Sequence, residues 1–177
     1  MIPRVIPRVI PAVIPAVIPA LLVLAACSGE FRAPEETELQ SWAGPEGSWL
    51  SYCPIGAPDS VPLMVYIAQD SWELRYGEPW RTATEQGLYP VVADAVGYRV
   101  DDSLLLPASL EVGTSADGTT IQEQGEVEVW YGTFPDVLTV EVGEGTFRGE
   151  AAFADGVGPI LLSYGGRTWE LLGYQRD

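Results

Sequence analysis

From Gly47 onward, glycine and proline interrupt the chain every few residues, and this spacing is the strongest constraint on the fold. The runs between them are rich in Val, Ile, Thr, Tyr and Trp, and their apolar residues alternate with polar ones. Such short, alternating runs are typical of half-buried β-strands. The sequence therefore predicts an all-β domain, with helix confined to one short segment from Ala33 to Trp42.

The run from Glu126 to Tyr131 shows the clearest alternation. It predicts a strand with one buried face, Val127, Val129 and Tyr131, and one solvated face, Glu126, Glu128 and Trp130. Similar patterns are present in residues 137–142 and 146–153. Residues 63–67 are apolar on both faces, which predicts a central strand.

Paired turn residues separate several of these runs. Asp117-Gly118 lies between Leu110–Val112 and Thr119–Glu123, and Gly165-Gly166 lies between residues 160–164 and 167–174. Both dipeptides favour tight hairpin turns, and Asp101-Asp102 is interpreted first as a further turn. We expect a single antiparallel meander of about ten strands, forming a small barrel or a sandwich, and glycines within the strands favour the barrel.

The N-terminus carries the one motif that points to a protein class. Two arginines precede an uncharged apolar stretch, and Ala25 and Ala26 lie directly before Cys27. This segment is similar to the signal peptides of bacterial lipoprotein precursors. The resemblance covers residues 1–27 and implies diacylglycerol transfer to Cys27, cleavage before it and acylation of the new terminus. It also implies an extracytoplasmic, membrane-anchored protein of the cell envelope. The residue after the acylated Cys is Ser28, which is similar to the signal for sorting to the outer membrane if the organism is Gram-negative.

An uncleaved membrane anchor and secretion without an anchor are the alternatives for this leader. A permanent span is disfavoured because prolines recur at every fourth residue from Pro3 to Pro19, and each interior proline costs a helix roughly 3 kcal/mol. The predicted organisation is a signal peptide (residues 1–26), an acylated Cys with a flexible acidic tether (27–46) and a β-domain (47–177).

Charge limits the partners of this chain. Its formal net charge is -16, and removal of the leader would take away two arginines and no acid. A surface of this kind repels nucleic acid and anionic lipid. Membrane attachment is therefore expected through the lipid on Cys27, with an unknown protein or small molecule as the further partner.

Composition also limits catalysis. The chain contains no His and no Lys, which excludes Ser-His-Asp and Ser-Lys sites and leaves Cys53 without a base. With Cys27 acylated, Cys53 has no partner for an intrachain disulfide, and its apolar neighbours favour a buried thiol. Paired carboxylates are the one catalytic device that remains, and Glu126 and Glu128 are the candidates for a glycosidase-like pair.

We expect no cofactor and no metal. The closest approach to a calcium loop, at Asp117-Gly118, lacks acidic ligands at the required positions, and Gly143-Glu144-Gly145 lacks the strand and helix of a nucleotide-binding loop. Asp101-Asp102 is only a weak cation candidate.

The tryptophans are the better functional candidates. Most are expected to fill the core, namely Trp49, Trp72, Trp80 and Trp169. Trp130 is the candidate contact residue because alternation places it on the polar face. The first hypothesis is a non-catalytic domain that acts by binding or assembly. A small-ligand carrier with an aromatic-lined cavity is the alternative, and a carboxylate-pair hydrolase is the third.

Overall fold

A computed structural model of this chain describes residues 38–76 and 84–176. Helix α1 spans Glu38–Ala43 and precedes twelve strands in the described part of the chain. The strands are Ser48–Pro54 (β1), Leu63–Ile67 (β2), Ser71–Tyr76 (β3), Thr84–Ala93 (β4), Gly97–Val100 (β5), Ser103–Pro107 (β6), Ser115–Ala116 (β7), Thr119–Val129 (β8), Gly132–Val142 (β9), Gly149–Ala154 (β10), Gly158–Tyr164 (β11) and Arg167–Arg176 (β12).

All twelve strands belong to one antiparallel sheet. Its order is β6-β5-β4-β3-β2-β1-β12-β11-β10-β9-β8-β7. Every strand except β6 therefore neighbours the next one in sequence, and β1 also pairs with β12. The sheet curls until β6, at one edge, contacts β7, β8 and β9 at the other. The predicted all-β meander is confirmed, and it forms a nearly closed barrel rather than a sandwich.

Side chains close the seam between the two edges of the sheet. The Thr119 hydroxyl donates to the carbonyl of Leu104 at 2.7 Å, and the Phe147 amide donates to the hydroxyl of Ser103 at 2.9 Å. Arg99 forms an ion pair with Asp117 across the same gap. The barrel is thus completed by polar contacts between distant parts of the sequence.

Helix α1 covers one end of the barrel. Its contacts are with β5, β10 and β11, and the Gly156 amide in the β10–β11 turn donates to the carbonyl of Ser41 at 3.0 Å. Trp42 and Ala43 are buried in the core, with Leu39 packed against it. The predicted tether is therefore wrong in its last part, because residues 38–46 belong to the folded domain. The short helix predicted over Ala33–Trp42 is present in its described part, where α1 begins at Glu38 and ends at Ala43.

The predicted strand faces are largely confirmed. Val129 is buried and Val127 is packed against the core, while Glu126 and Glu128 are exposed. The buried members of the other runs are also as expected, namely Leu138, Val140, Val142, Phe147, Ala151 and Phe153. Tyr131 is an error, since β8 ends at Val129 and Tyr131 is exposed in the turn that follows.

The predicted hairpins are confirmed with one change of strand. Gly165-Gly166 joins β11 to β12, and both residues have the positive φ that a primed turn requires. Asp117-Gly118 likewise has positive φ at both residues, but the strand before it is β7 and not Leu110–Val112. β2 lies between β1 and β3, in agreement with its apolar faces.

Several sequence predictions concern residues outside the described ones. These are the leader, Cys27, Ser28, the first half of the predicted helix, and Trp80. Within the described residues, no helix has the length and apolar character needed to cross a membrane.

Candidate functional site: an exposed aromatic patch

The interior of the barrel is occupied by aromatic rings from several strands. The Trp72 ring contacts Phe147 at 5.7 Å between centroids, and Phe147 contacts Tyr89 and Tyr164, each at 5.6 Å. These contacts connect β3 and β4 with β11. Side chains of the protein therefore fill this level of the barrel, and Trp72 and Trp169 are core residues as expected. The same prediction is wrong for Trp49, which is half-buried and contacts Tyr66 on the neighbouring strand β2.

Polar atoms in this cluster bind to each other. The Trp72 indole donates to the Tyr98 hydroxyl at 3.0 Å, and the hydroxyls of Tyr89 and Tyr164 are 2.8 Å apart. Burial raises the pKa of Tyr98 to about 12. Burial and the hydrogen bond with Tyr164 also raise the pKa of Tyr89. The phenols of Tyr89 and Tyr98 are therefore neutral at physiological pH and act as structural hydrogen-bonding groups.

Asp101 and Asp102 form the predicted turn between β5 and β6, and their carboxylates hold the β9–β10 loop. Asp102 Oδ1 accepts from the Thr146 amide at 2.7 Å, and Asp101 Oδ2 accepts from the Thr146 hydroxyl at 2.8 Å. The hydrogen bond from the Thr146 amide lowers the pKa of Asp102. This turn reinforces the seam next to Ser103. No group of three or more His, Cys, Asp or Glu side chains in residues 38–76 and 84–176 could hold a metal ion.

Cys53 is buried, as its apolar neighbours predicted. Burial raises the pKa of its thiol, and the negative charge of Glu170 raises it further. The thiol is therefore poorly disposed to ionise and react.

Trp130 lies in the turn between β8 and β9, not within a strand. It is 63% exposed, so the predicted exposure is correct, but a hairpin tip causes it rather than strand alternation. Three further aromatic residues lie in this turn or beside it. Tyr131 is 48% exposed, Tyr174 on β12 is 43% exposed, and Phe134 on β9 is half-buried. We call Trp130, Tyr131, Phe134 and Tyr174 the aromatic patch.

Ring contacts join Tyr131, Phe134 and Tyr174, and Trp130 precedes Tyr131 in the same turn. Tyr131 stacks on Phe134 with centroids 6.3 Å apart and packs edge-to-face on Tyr174 at 5.6 Å. Large apolar side chains that are exposed together are a common feature of interaction surfaces. Tyr and Trp in addition supply contact area at a small entropic cost.

The tip of the β8–β9 hairpin is anchored to β12, and two strands, β10 and β11, separate β12 from β9 in the sheet order. The Tyr131 amide donates to the carbonyl of Leu171 at 2.9 Å, and the Trp130 amide donates to the carboxylate of Glu170 at 3.1 Å. Both residues of the turn are thus fixed through their backbones while their side chains face outward. The patch is pre-organised for contact, which reduces the entropy lost on binding.

The strands beside the patch are acidic. From Gln122 to Thr139, the hairpin carries Glu123, Glu126, Glu128 and Asp136, and it carries no arginine. All four acids are exposed. Glu126 and Glu128, the predicted acid pair, therefore lie on the same hairpin as Trp130 and give this region a negative charge.

Sequence reasoning identified Trp130 and missed the other three members of the patch. Tyr131 was assigned to a buried face because the pattern did not indicate that the strand stops at Val129. Tyr174 joins the patch because the hairpin is anchored to β12. Its ring contacts that of Tyr131, which is 43 positions away in the sequence. Gly132, directly after the turn, was the available signal for an earlier strand end.

Three comparisons with known proteins gave no match. No protein-family model, no curated protein and no solved structure matches this chain.

Proposed function

We propose that this chain is a lipid-anchored binding domain of the cell envelope, attached to the membrane through acylated Cys27 and contacting its partner through the aromatic patch. The observation that carries the binding role is the group of exposed aromatic side chains on a hairpin tip that backbone hydrogen bonds fix to β12. The anchor rests on the sequence of the leader.

The filled interior supports a surface site over a cavity. Phe147 contacts both Trp72 and Tyr164 inside the barrel, in the position where a carrier would hold its ligand. The most exposed aromatic side chains of the described residues are Trp130, Tyr131 and Tyr174, and all three belong to the patch. A partner that covers them removes apolar surface from water, which favours binding by about 25 cal/mol per Å² before the entropic costs.

Site-specific photocrosslinking in intact cells tests the binding role. A photoreactive phenylalanine analogue replaces Trp130 in one variant and Leu88 in a matched control, since the two side chains are 63% and 64% exposed. We expect a discrete crosslinked product from position 130 and at least about tenfold less from position 88. Tyr174→Ala should reduce the yield at position 130. Equal yields from both positions, or a yield that Tyr174→Ala leaves unchanged, would exclude the patch as the contact surface.

Metabolic labelling with a fatty acid tests the anchor. The wild-type chain should incorporate the label and Cys27→Ser should not, because a hydroxyl cannot form the thioether that carries the lipid. Cys53→Ser is the control and should remain labelled. Equal labelling of wild type and Cys27→Ser would refute the anchor and leave the binding surface untouched.

A further inference from the structure

Strand β8 has an unpaired edge beside the aromatic patch. Its first two residues pair with β7, and Ile121 exchanges hydrogen bonds with Gly113 and Thr114, at 2.8 and 3.0 Å. Beyond Ile121, β8 pairs on its other side with β9, and none of the described segments pairs with the edge from Glu123 to Val129. This edge leads directly to Trp130.

An edge of this kind can accept an extended peptide. The backbone N–H and C=O groups of an unpaired strand form a template on which a further strand can add, and main-chain hydrogen bonds then supply affinity. Seven residues of strand span roughly 20 Å, the length of an ordinary β-strand. Register shifts at Ile121/Glu123 and Gly125/Val127 interrupt the edge and leave two regular stretches of equal length, Glu123–Gly125 and Val127–Val129. The second stretch lies next to Trp130.

Charge selects the kind of peptide. Glu123, Glu126 and Glu128 lie along the edge, and no basic residue is present between Gln122 and Thr139. These acids repel a second copy of the same edge, which is a common protection against edge-to-edge aggregation. They also disfavour the chain's own segment before α1, since residues 28–37 contain three glutamates and one arginine. A basic peptide from another protein is the complementary occupant.

We propose that the partner adds an extended, basic peptide segment to the free edge of β8, so that the aromatic patch packs against one end of the added strand. This inference rests on the proposed binding function and specifies the chemistry of the partner. Lys or Arg side chains would face the three glutamates, and an apolar or aromatic side chain at the end of the segment would lie on Trp130.

Nuclear magnetic resonance titration of residues 28–177 with three synthetic peptides tests the proposal. The first is an octapeptide of alternating Lys and Val, the second is the same peptide with its alternate amides N-methylated, and the third replaces Lys by Glu. We expect the first to shift the backbone amides of Val127–Val129 most strongly. The second lacks the amide donors of a ladder and the third repels the edge, so neither should shift these amides.

Charge variants provide the second measurement. Glu126→Gln with Glu128→Gln should raise the dissociation constant of the Lys-Val peptide at low salt about fivefold. Glu111→Gln with Glu144→Gln is the control, because both acids are exposed elsewhere and the change in net charge is the same. If both pairs of substitutions weaken peptide binding equally, the attraction depends only on the net charge of the protein. That result would overturn the assignment of the edge as the binding site.

The outcomes separate this inference from the function on which it rests. If the N-methylated peptide shifts β8 as strongly as the parent, or if no peptide shifts it, strand addition is wrong. Crosslinking from position 130 would then still support the aromatic patch as a contact surface. If the Lys-Val peptide shifts Val127–Val129 equally in wild type and Trp130→Ala, the edge binds without the patch, and the proposed role of the patch in peptide binding is wrong.

Discussion

At the scale of single residues, the tryptophans divide by position into structural and exposed ones. Trp72 is fully buried and contacts Phe147 and Tyr98, while Trp130 is mostly exposed and is held through its backbone amide. The same residue type thus fills the barrel in one place and faces solvent in the other. Substitution should separate the two roles.

We expect Trp130→Ala to change the free energy of unfolding by less than about 0.5 kcal/mol, because an exposed side chain leaves no cavity. Trp72→Ala should cost about 3 to 5 kcal/mol, since it empties a packed interior and leaves the Tyr98 hydroxyl without its donor. Urea unfolding followed by circular dichroism measures both. A loss of several kcal/mol for Trp130→Ala would place that side chain in the core and direct the search for a contact surface elsewhere.

At the scale of elements, the seam between the two edges of the sheet depends on contacts that no local sequence pattern predicts. Hairpin dipeptides and alternation are local signals, so they predicted most turns and the buried faces of β8, β9 and β10. The bonds from Thr119 to Leu104 and from Phe147 to Ser103 join residues far apart in sequence, and no local pattern predicts them. The choice between barrel and sandwich depended on these bonds, so the sequence left it open.

Gly145 tests the close approach of two loops at the seam. Its φ is +93°, and a Cβ atom there would lie 2.4 Å from the hydroxyl of Ser103. Gly113 has a similar φ of +89° with no atom within 4 Å of such a Cβ. We expect Gly113→Ala to cost about 1 kcal/mol for the backbone conformation alone and Gly145→Ala about 2 to 3 kcal/mol. Thermal unfolding compares them, and equal losses would show that the loops at the seam can separate without cost.

Asp102 gives the seam a pH dependence. Its pKa is lowered in the folded state by the hydrogen bond from the Thr146 amide, so it binds a proton more weakly when folded than when unfolded. Its stabilising contribution is present above the ordinary carboxyl pKa near 4 and is lost as pH falls through the lower folded value. Because this carboxylate is exposed, the contribution should be below about 1 kcal/mol.

The measurement is the difference in unfolding free energy between wild type and Asp102→Asn at pH 7 and pH 3. We expect the wild type to be more stable at pH 7 and the difference to shrink at pH 3. Asp59→Asn is a control in an exposed loop. A difference that stays constant with pH would show that the charge of Asp102 does not support the seam.

At the scale of the whole molecule, the sequence predicted the class of fold and one residue of the candidate site. Composition excluded the common catalytic groups, and the run of strands predicted the meander. The remainder of the aromatic patch depends on how the β8–β9 hairpin reaches β12, which is a property of the folded barrel. Residues 38–46 were assigned to the tether for a similar reason, since the burial of Trp42 depends on strands that come much later in the chain.

Hydroxyl-radical footprinting of the native protein tests the central claim most directly, namely that a partner covers the aromatic patch. Oxidation of Trp130, Tyr131 and Tyr174 is compared between intact cell envelopes and the purified domain, with Trp49 on the outer face of β1 as the control. We expect the three patch residues to be oxidised several times more slowly in envelopes, while Trp49 is oxidised equally in both. Equal oxidation of Trp130 in the two samples would contradict the claim.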